Sequence, residues 1–156
     1  MFKLGIIGYS GEILSVGIFG GGYAAANSNY TDKYTYATDT VAAGTVLGLA
    51  RYYLAAAGNS TVGIFGGGYT SAVTDYTDKY TYATDTVVAG TVLGLARRGL
   101  AAAGNSTVGI FGGGYTDAYS NYTDKYTYAT DTVVAGTVLG LARRGLAAAS
   151  SNPGWA

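Results

Sequence analysis

The stretch VGIFGGGY starts at Val16, returns at Val62 and returns again at Val108, each time 46 residues on. Around it the chain repeats itself almost without change. Segments 62–103 and 108–149 differ at four positions (Ser71/Asp117, Val73/Tyr119, Thr74/Ser120, Asp75/Asn121), and 16–57 differs from 62–103 at eight. Self-similarity at such a period marks a repeat architecture, in which each copy is one supersecondary unit that buries its apolar surface against the next. Copies this close record recent duplication or deliberate design.

Each period reads as four strands separated by turn signals. In the middle copy, GLAAAG is a run of small apolar residues, and GNST after it marks a turn. VGIFGG is the second strand, YTDKYTYA the third and, after a turn at Thr84–Asp85, TVVAGTVL over 86–93 the fourth. The competing reading makes LGLARRGLAAA a helix, since Ala, Leu and Arg are good helix formers. Gly94, Gly99 and Gly104 oppose it, each costing about 1 kcal/mol in a helix interior.

Composition narrows the possibilities. Apolar residues are 49% of the 156, enough for a core, whereas charged residues are only 12%, nine basic and nine acidic. That balance lacks the clustered Lys and Arg of a nucleic-acid binder. Glycine (26) and tyrosine (16) fill the difference, as expected of short strands joined by tight turns. The chain has no cysteine and no histidine, so disulfides and the commonest metal ligand and general base are absent. No apolar run reaches the length of a membrane span, and the run from Leu4 is too short for the hydrophobic region of a signal peptide. The composition names no compartment. No cofactor, metal site or catalytic residue is expected.

Four strands in about 45 residues, repeated, is the pattern of a β-propeller blade. Middle strands buried on both faces read as continuous apolar runs, as VGIF does, and LAAAG suits crowded innermost strands. A β-solenoid competes, but its coils are usually shorter. A glycine doublet after an apolar strand, then KYTYATDTV, then LARRGLAAAG together resemble the kelch repeat. The matching positions are Gly20, Gly21, Tyr34 and Arg51 in the first copy. They are Gly66, Gly67, Tyr80 and Arg97 in the second, and Gly112, Gly113, Tyr126 and Arg143 in the third. The resemblance implies a structural role for each, with the Arg opening the next inner strand. It covers 16–149. One departure concerns packing: the kelch pattern places an aromatic residue seven positions after the Tyr, where this chain has Val41, Val87 and Val133.

The expected organisation is a leading segment 1–15, repeats over 16–61, 62–107 and 108–149, and a tail over 150–156. Three blades are too few to close a propeller, which needs four to eight. Left open they would expose large apolar faces. The economical solution is a homodimer with C2 symmetry forming a six-bladed ring. The repeat phase fits, because the first copy lacks its inner strand and Gly145 to Ala149 supplies a surplus one. Strand exchange at both seams would then leave no free edge.

Among candidate chemistry, GIFGGG is not the dinucleotide fingerprint and is not followed by a helix. Its glycines are read as sites of close backbone approach. The aspartates that recur once per copy (Asp32, Asp78 and Asp124; Asp39, Asp85 and Asp131) are read as turn and cap residues in preference to calcium ligands or carboxylate pairs. The sequons at Asn29, Asn59, Asn105 and Asn121 are read as accidents of a Thr-rich chain. Where the copies differ, all but position 42 and its equivalents fall after the glycines or after the Arg. In a four-stranded blade those two loops emerge on one face. Either the loops drift freely, or the face binds a partner. Its contacts would be Tyr23, Tyr52, Tyr53 and Tyr69 toward the first copies, and Arg98, Tyr115, Tyr119 and Arg144 toward the last. Tyr and Arg are enriched at interface hot spots. The expectation is a non-enzymatic module binding a protein or glycan through this face. A structural self-assembling protein is the alternative, and a hydrolase or lyase working from Asp and Tyr the weakest reading.

Overall fold

The computed structural model describes residues 15–151. The expected leading segment, apart from Ser15, and residues 152–156 of the tail lie outside them. The described residues contain eleven strands and no helix. These are β1 (Val16–Gly20), β2 (Thr31–Thr35), β3 (Thr40–Ala43), β4 (Ala55–Gly58), β5 (Val62–Gly66) and β6 (Thr77–Thr81). The remainder are β7 (Thr86–Ala89), β8 (Ala101–Gly104), β9 (Val108–Gly112), β10 (Thr123–Thr127) and β11 (Thr132–Ala135). They form three antiparallel sheets: β1-β2-β3 (sheet 1), β4-β5-β6-β7 (sheet 2) and β8-β9-β10-β11 (sheet 3).

The sheets are out of phase with the sequence repeats, as the missing inner strand of the first copy predicts. β4, from the end of the first repeat, pairs with β5 of the second, Ala56 opposite Phe65. β8 pairs with β9 in the same register, Ala102 opposite Phe111. The β4–β5 turn is tied by Asn59, whose Oδ1 accepts from the backbone N–H groups of Thr61 and Val62 and from the Thr61 hydroxyl. Asn105 repeats this at the β8–β9 turn. Both sequon asparagines are thus turn residues.

The core lies between sheets. Leu47, Phe65 and Tyr80 form one buried cluster, with Ile18 of β1 against it. Ile64 of β5, Phe111 of β9, Leu93, Leu100, Tyr126 and Tyr128 belong to a second, larger one. Val87 and Val133 pack against these clusters, whereas Val41 in sheet 1 is exposed. β4 and β8 lie side by side, and a Cβ on Gly109 of β9 would stand 2.9 Å from the Ala57 Cβ of β4. Larger side chains would not fit, which explains the runs of alanine.

One strand boundary differs from the expectation, and the competing helix reading is excluded. The fourth strand ends at Ala89, not at residue 93. At Gly90 the chain turns across the end of β6, with Gly90 N–H donating to Thr77 O and Leu93 N–H to Asp75 O. A Cβ on Gly90 would stand 2.6 Å from the Tyr126 hydroxyl of sheet 3. The helix reading of LGLARRGLAAA fails because its backbone donors go to distant carbonyls, Arg97 to Thr74 and Gly99 to Tyr53, and Gly99 has φ +64°. The surplus inner strand over 145–149 has no strand partner among the described residues and forms no ladder there, although the Ser150 hydroxyl accepts from Gly104 N–H at 2.8 Å.

Candidate functional site

The link between successive sheets carries two of the positions that vary, 52 and 53 with their equivalents, and one arginine per link anchors it. Arg51 N–H donates to Ser28 O, and its carbonyl accepts from Gly22 N–H, so its backbone is sewn to sheet 1. Its side chain is fully buried in sheet 2. Arg51 Nη1 meets Asp78 Oδ2 at 2.6 Å, Nη2 donates to Phe65 O, Nε donates to Gly67 O, and the guanidinium lies 5.3 Å from the Tyr76 ring centroid. Arg97 repeats most of this one repeat on, with Asp124 Oδ2 at 2.7 Å, Phe111 O and the Tyr122 ring, but its Nε has no hydrogen-bond partner among the described residues. Buried charges are tolerated only when paired and hydrogen-bonded in this way.

This corrects the reading of three aspartates. Asp32, Asp78 and Asp124 sit within β2, β6 and β10, not in turns, and Asp78 and Asp124 are each fully buried as the partner of an arginine. The second set is in turns: Asp39, Asp85 and Asp131 close the hairpins with φ of 52–54°. The Asp85 carboxylate also accepts from the Tyr80 hydroxyl and pairs with Lys33 of sheet 1 at 3.2 Å. The Tyr34 hydroxyl donates to Asp39, and that bond first, then burial and Tyr36, raises the Tyr34 pKa.

The glycines of GGG have a steric reason. Gly67 has φ +69°, and a Cβ there would stand 2.7 Å from Arg97 O; the neighbouring Gly68 N–H donates to that same carbonyl at 2.9 Å. Gly21 and Gly113 stand in the same way beneath Arg51 O and Arg143 O. Of the first glycines in the doublets, Gly20 and Gly66 lie under the rings of Phe65 and Phe111, and Gly112 has no ring over it.

Beyond each anchoring arginine the β4–β5 and β8–β9 ladders resume as single bridges, Tyr52 opposite Tyr69 and Arg98 opposite Tyr115. These bring side chains from varying positions into one row with the invariant Tyr23, Tyr69 and Tyr115. Tyr23 and Tyr52 have ring centroids 5.4 Å apart, Tyr52 and Tyr69 5.6 Å, and Tyr53 lies 4.6 Å from Tyr52. Arg98 then lies 4.5 Å from the Tyr69 centroid and 5.6 Å from that of Tyr115. Arg144 lies 5.0 Å from Tyr115 and 5.8 Å from Tyr119. All eight residues expected on the variable face therefore share one continuous aromatic and cationic surface. Cations over tyrosine faces are attracted by the ring quadrupole.

The row borders two concavities. One, of about 440 Å³, is lined by Tyr52, Tyr53, Arg98, Gly99, Arg144 and Gly145. The other, of about 530 Å³, is lined by Gly22, Tyr23, Tyr52 and Tyr53. Among the described residues Arg98 and Arg144 form no ion pair, unlike Arg51 and Arg97. The arrangement offers two uncompensated guanidinium groups beside stacked phenol rings. Such a surface can bind a carboxylate, sulfate or phosphate by bidentate hydrogen bonds while stacking against a planar or sugar face. No helix among the described residues is long and apolar enough to cross a membrane. No protein-family model and no curated protein matches the chain.

Proposed function

We propose that the protein is a non-enzymatic binding or scaffold module, half of a kelch-like β-propeller, that presents its Tyr/Arg row to an anionic protein segment or glycan. One observation carries this reading: side chains that differ between near-identical copies converge on one concavity holding two arginines without acidic partners among the described residues. The fixed glycine doublets and the buried Arg51 and Arg97, one at each junction between sheets, support the kelch-like assignment.

A poly-glutamate peptide and a sulfated oligosaccharide are suitable probes for titration. The unaltered chain is expected to bind at least one, more weakly as salt rises. Arg98→Ala with Arg144→Ala should weaken binding at least tenfold and leave the melting temperature unchanged. Binding of neither probe, or equal binding by the double variant, would contradict the reading. A second reading, a structural self-assembling protein, is favoured by a separate observation: the contacts that join the sheets are left half-made at both ends of the array.

A further inference from the structure

The two internal junctions are built from the same parts. At the first, the Phe65 ring packs on Gly20, Asp78 receives Arg51, and the other Asp78 oxygen accepts from Gly48 N–H at 2.9 Å. At the second, Phe111 packs on Gly66, Asp124 receives Arg97, and Asp124 accepts from Gly94 N–H at 2.9 Å. A third set of these parts exists in the chain, divided between its two ends.

Sheet 1 carries one half. Phe19 is 65% exposed, where Phe65 and Phe111 are 4% and 0%. Asp32 is exposed, where Asp78 and Asp124 are fully buried, and Tyr30, the equivalent of the tyrosines beneath Arg51 and Arg97, is exposed as well. The far end carries the other half. Arg143 has its backbone in place, N–H to Ser120 O and carbonyl to Gly114 N–H, yet its side chain is exposed. A Cβ on Gly140 would meet nothing within 4 Å, where one on Gly48 or Gly94 would meet an aspartate.

Two backbone features break off in the same way. β1 has no inner strand among the described residues, while the segment equivalent to β4 and β8, 147–150, is unpaired. Gly99 N–H donates to Tyr53 O and Gly145 N–H to Gly99 O, each at 2.8 Å, and the series stops at the Gly145 carbonyl.

We infer that a second copy of this chain completes both ends. Arg143 of each copy enters the socket of the other's Asp32 and Tyr30, Phe19 packs on Gly112, and Asp32 accepts from Gly140 N–H. Segment 147–150 joins the partner's β1 in the register of β4 with β5: Ala147 opposite Gly20, Ala148 opposite Phe19, Ala149 opposite Ile18 and Ser150 opposite Gly17. The Gly145 carbonyl receives the second copy's Tyr53 N–H. Shape, apolar surface, charge and strand edge are matched at once by the other end of the same sequence, and no foreign partner is needed to supply any of them. Two identical seams close the pair. The inference stands on the junction contacts alone and does not use the Tyr/Arg row, so loss of probe binding leaves it untouched.

The test is a charge exchange. Arg143→Asp and Asp32→Arg change residues that are exposed in the single chain, so each variant should keep the β circular dichroism spectrum. Each alone places like charges in both seams and should raise the dissociation constant of the pair at least about a hundredfold. An equimolar mixture places opposite charges in both seams and should recover the paired mass. Variants that pair as tightly as the unaltered chain, or a mixture that stays monomeric, overturn the proposal. Because the chain has no cysteine, Phe19→Cys with Ala148→Cys tests the register independently. Oxidation should give covalent dimers, and a product that remains monomeric overturns the assigned pairing.

Discussion

At the scale of single residues, the decisive feature is an arginine whose backbone belongs to one sheet and whose side chain belongs to the next. Removing one member of a buried pair leaves the other charge without compensation. Asp124→Ala is therefore expected to cost about 3–5 kcal/mol in urea unfolding, whereas Asp117→Ala, in an exposed loop, should fall within about 0.5 kcal/mol of zero. Tyr53 gives an opposite expectation. It has φ +57°, in the position where Gly99 and Gly145 have +64° and +65°. A tyrosine pays for the left-handed conformation and a glycine does not. Tyr53→Gly should stabilise the chain by about 1 kcal/mol, visible as a higher melting temperature, despite the lost contact with Tyr52. A structural role for the arginines was legible as what the kelch resemblance implies. Their partners were not, because aspartate is so common in turns that the turn reading absorbed it. The signal was present in the spacing, since Asp78 and Asp124 each follow a buried arginine by 27 residues.

At the scale of elements, short strands survive because neighbouring sheets close over them. Tyr128 follows β10 and folds back on β9, its hydroxyl 2.8 Å from where a Cβ of Gly109 would stand. Gly109→Ala should cost about 1–3 kcal/mol by crowding that hydroxyl and Ala57 together. Burial, with a lesser contribution from Tyr82, pushes the Tyr128 pKa from 10.0 up to about 12. The sign follows from linkage. Below pH 10 both states keep the proton and the stabilisation is whole; between about pH 10 and 12 only the folded state keeps it. Stability should fall as pH rises through that window, and absorbance titration should show a tyrosine ionising late. A Tyr128→Phe variant that keeps the same alkaline loss would contradict this. Strand identities and order were legible because each apolar run is bounded by glycine, asparagine or aspartate. The early end of β7 was not, since Leu93 packs between sheets beyond Gly90 and the run through exposed Val92 looks the same in sequence as a longer strand.

At the scale of the whole molecule, three near-identical copies give two complete junctions and one divided between the ends. The open phase of the repeat was legible in the sequence; the side chains that make each junction specific required the fold, because they come from segments about 30 residues apart. The Tyr/Arg row shows the same division. Tyr52, Tyr53, Arg98, Tyr119 and Arg144 lie at positions that vary among copies, whereas Tyr23, Tyr69 and Tyr115 are the same in all three, and the stacking of the row depends on the bridges Tyr52–Tyr69 and Arg98–Tyr115. The most direct test of the account is the mass of the unaltered chain in solution, by light scattering after size exclusion over a range of concentrations. The account predicts a single species of about twice the 15.8 kDa of one chain. A species at the mass of one chain would contradict it, and so would a mass that grows with concentration, which would mean that the ends do not close on one another in pairs.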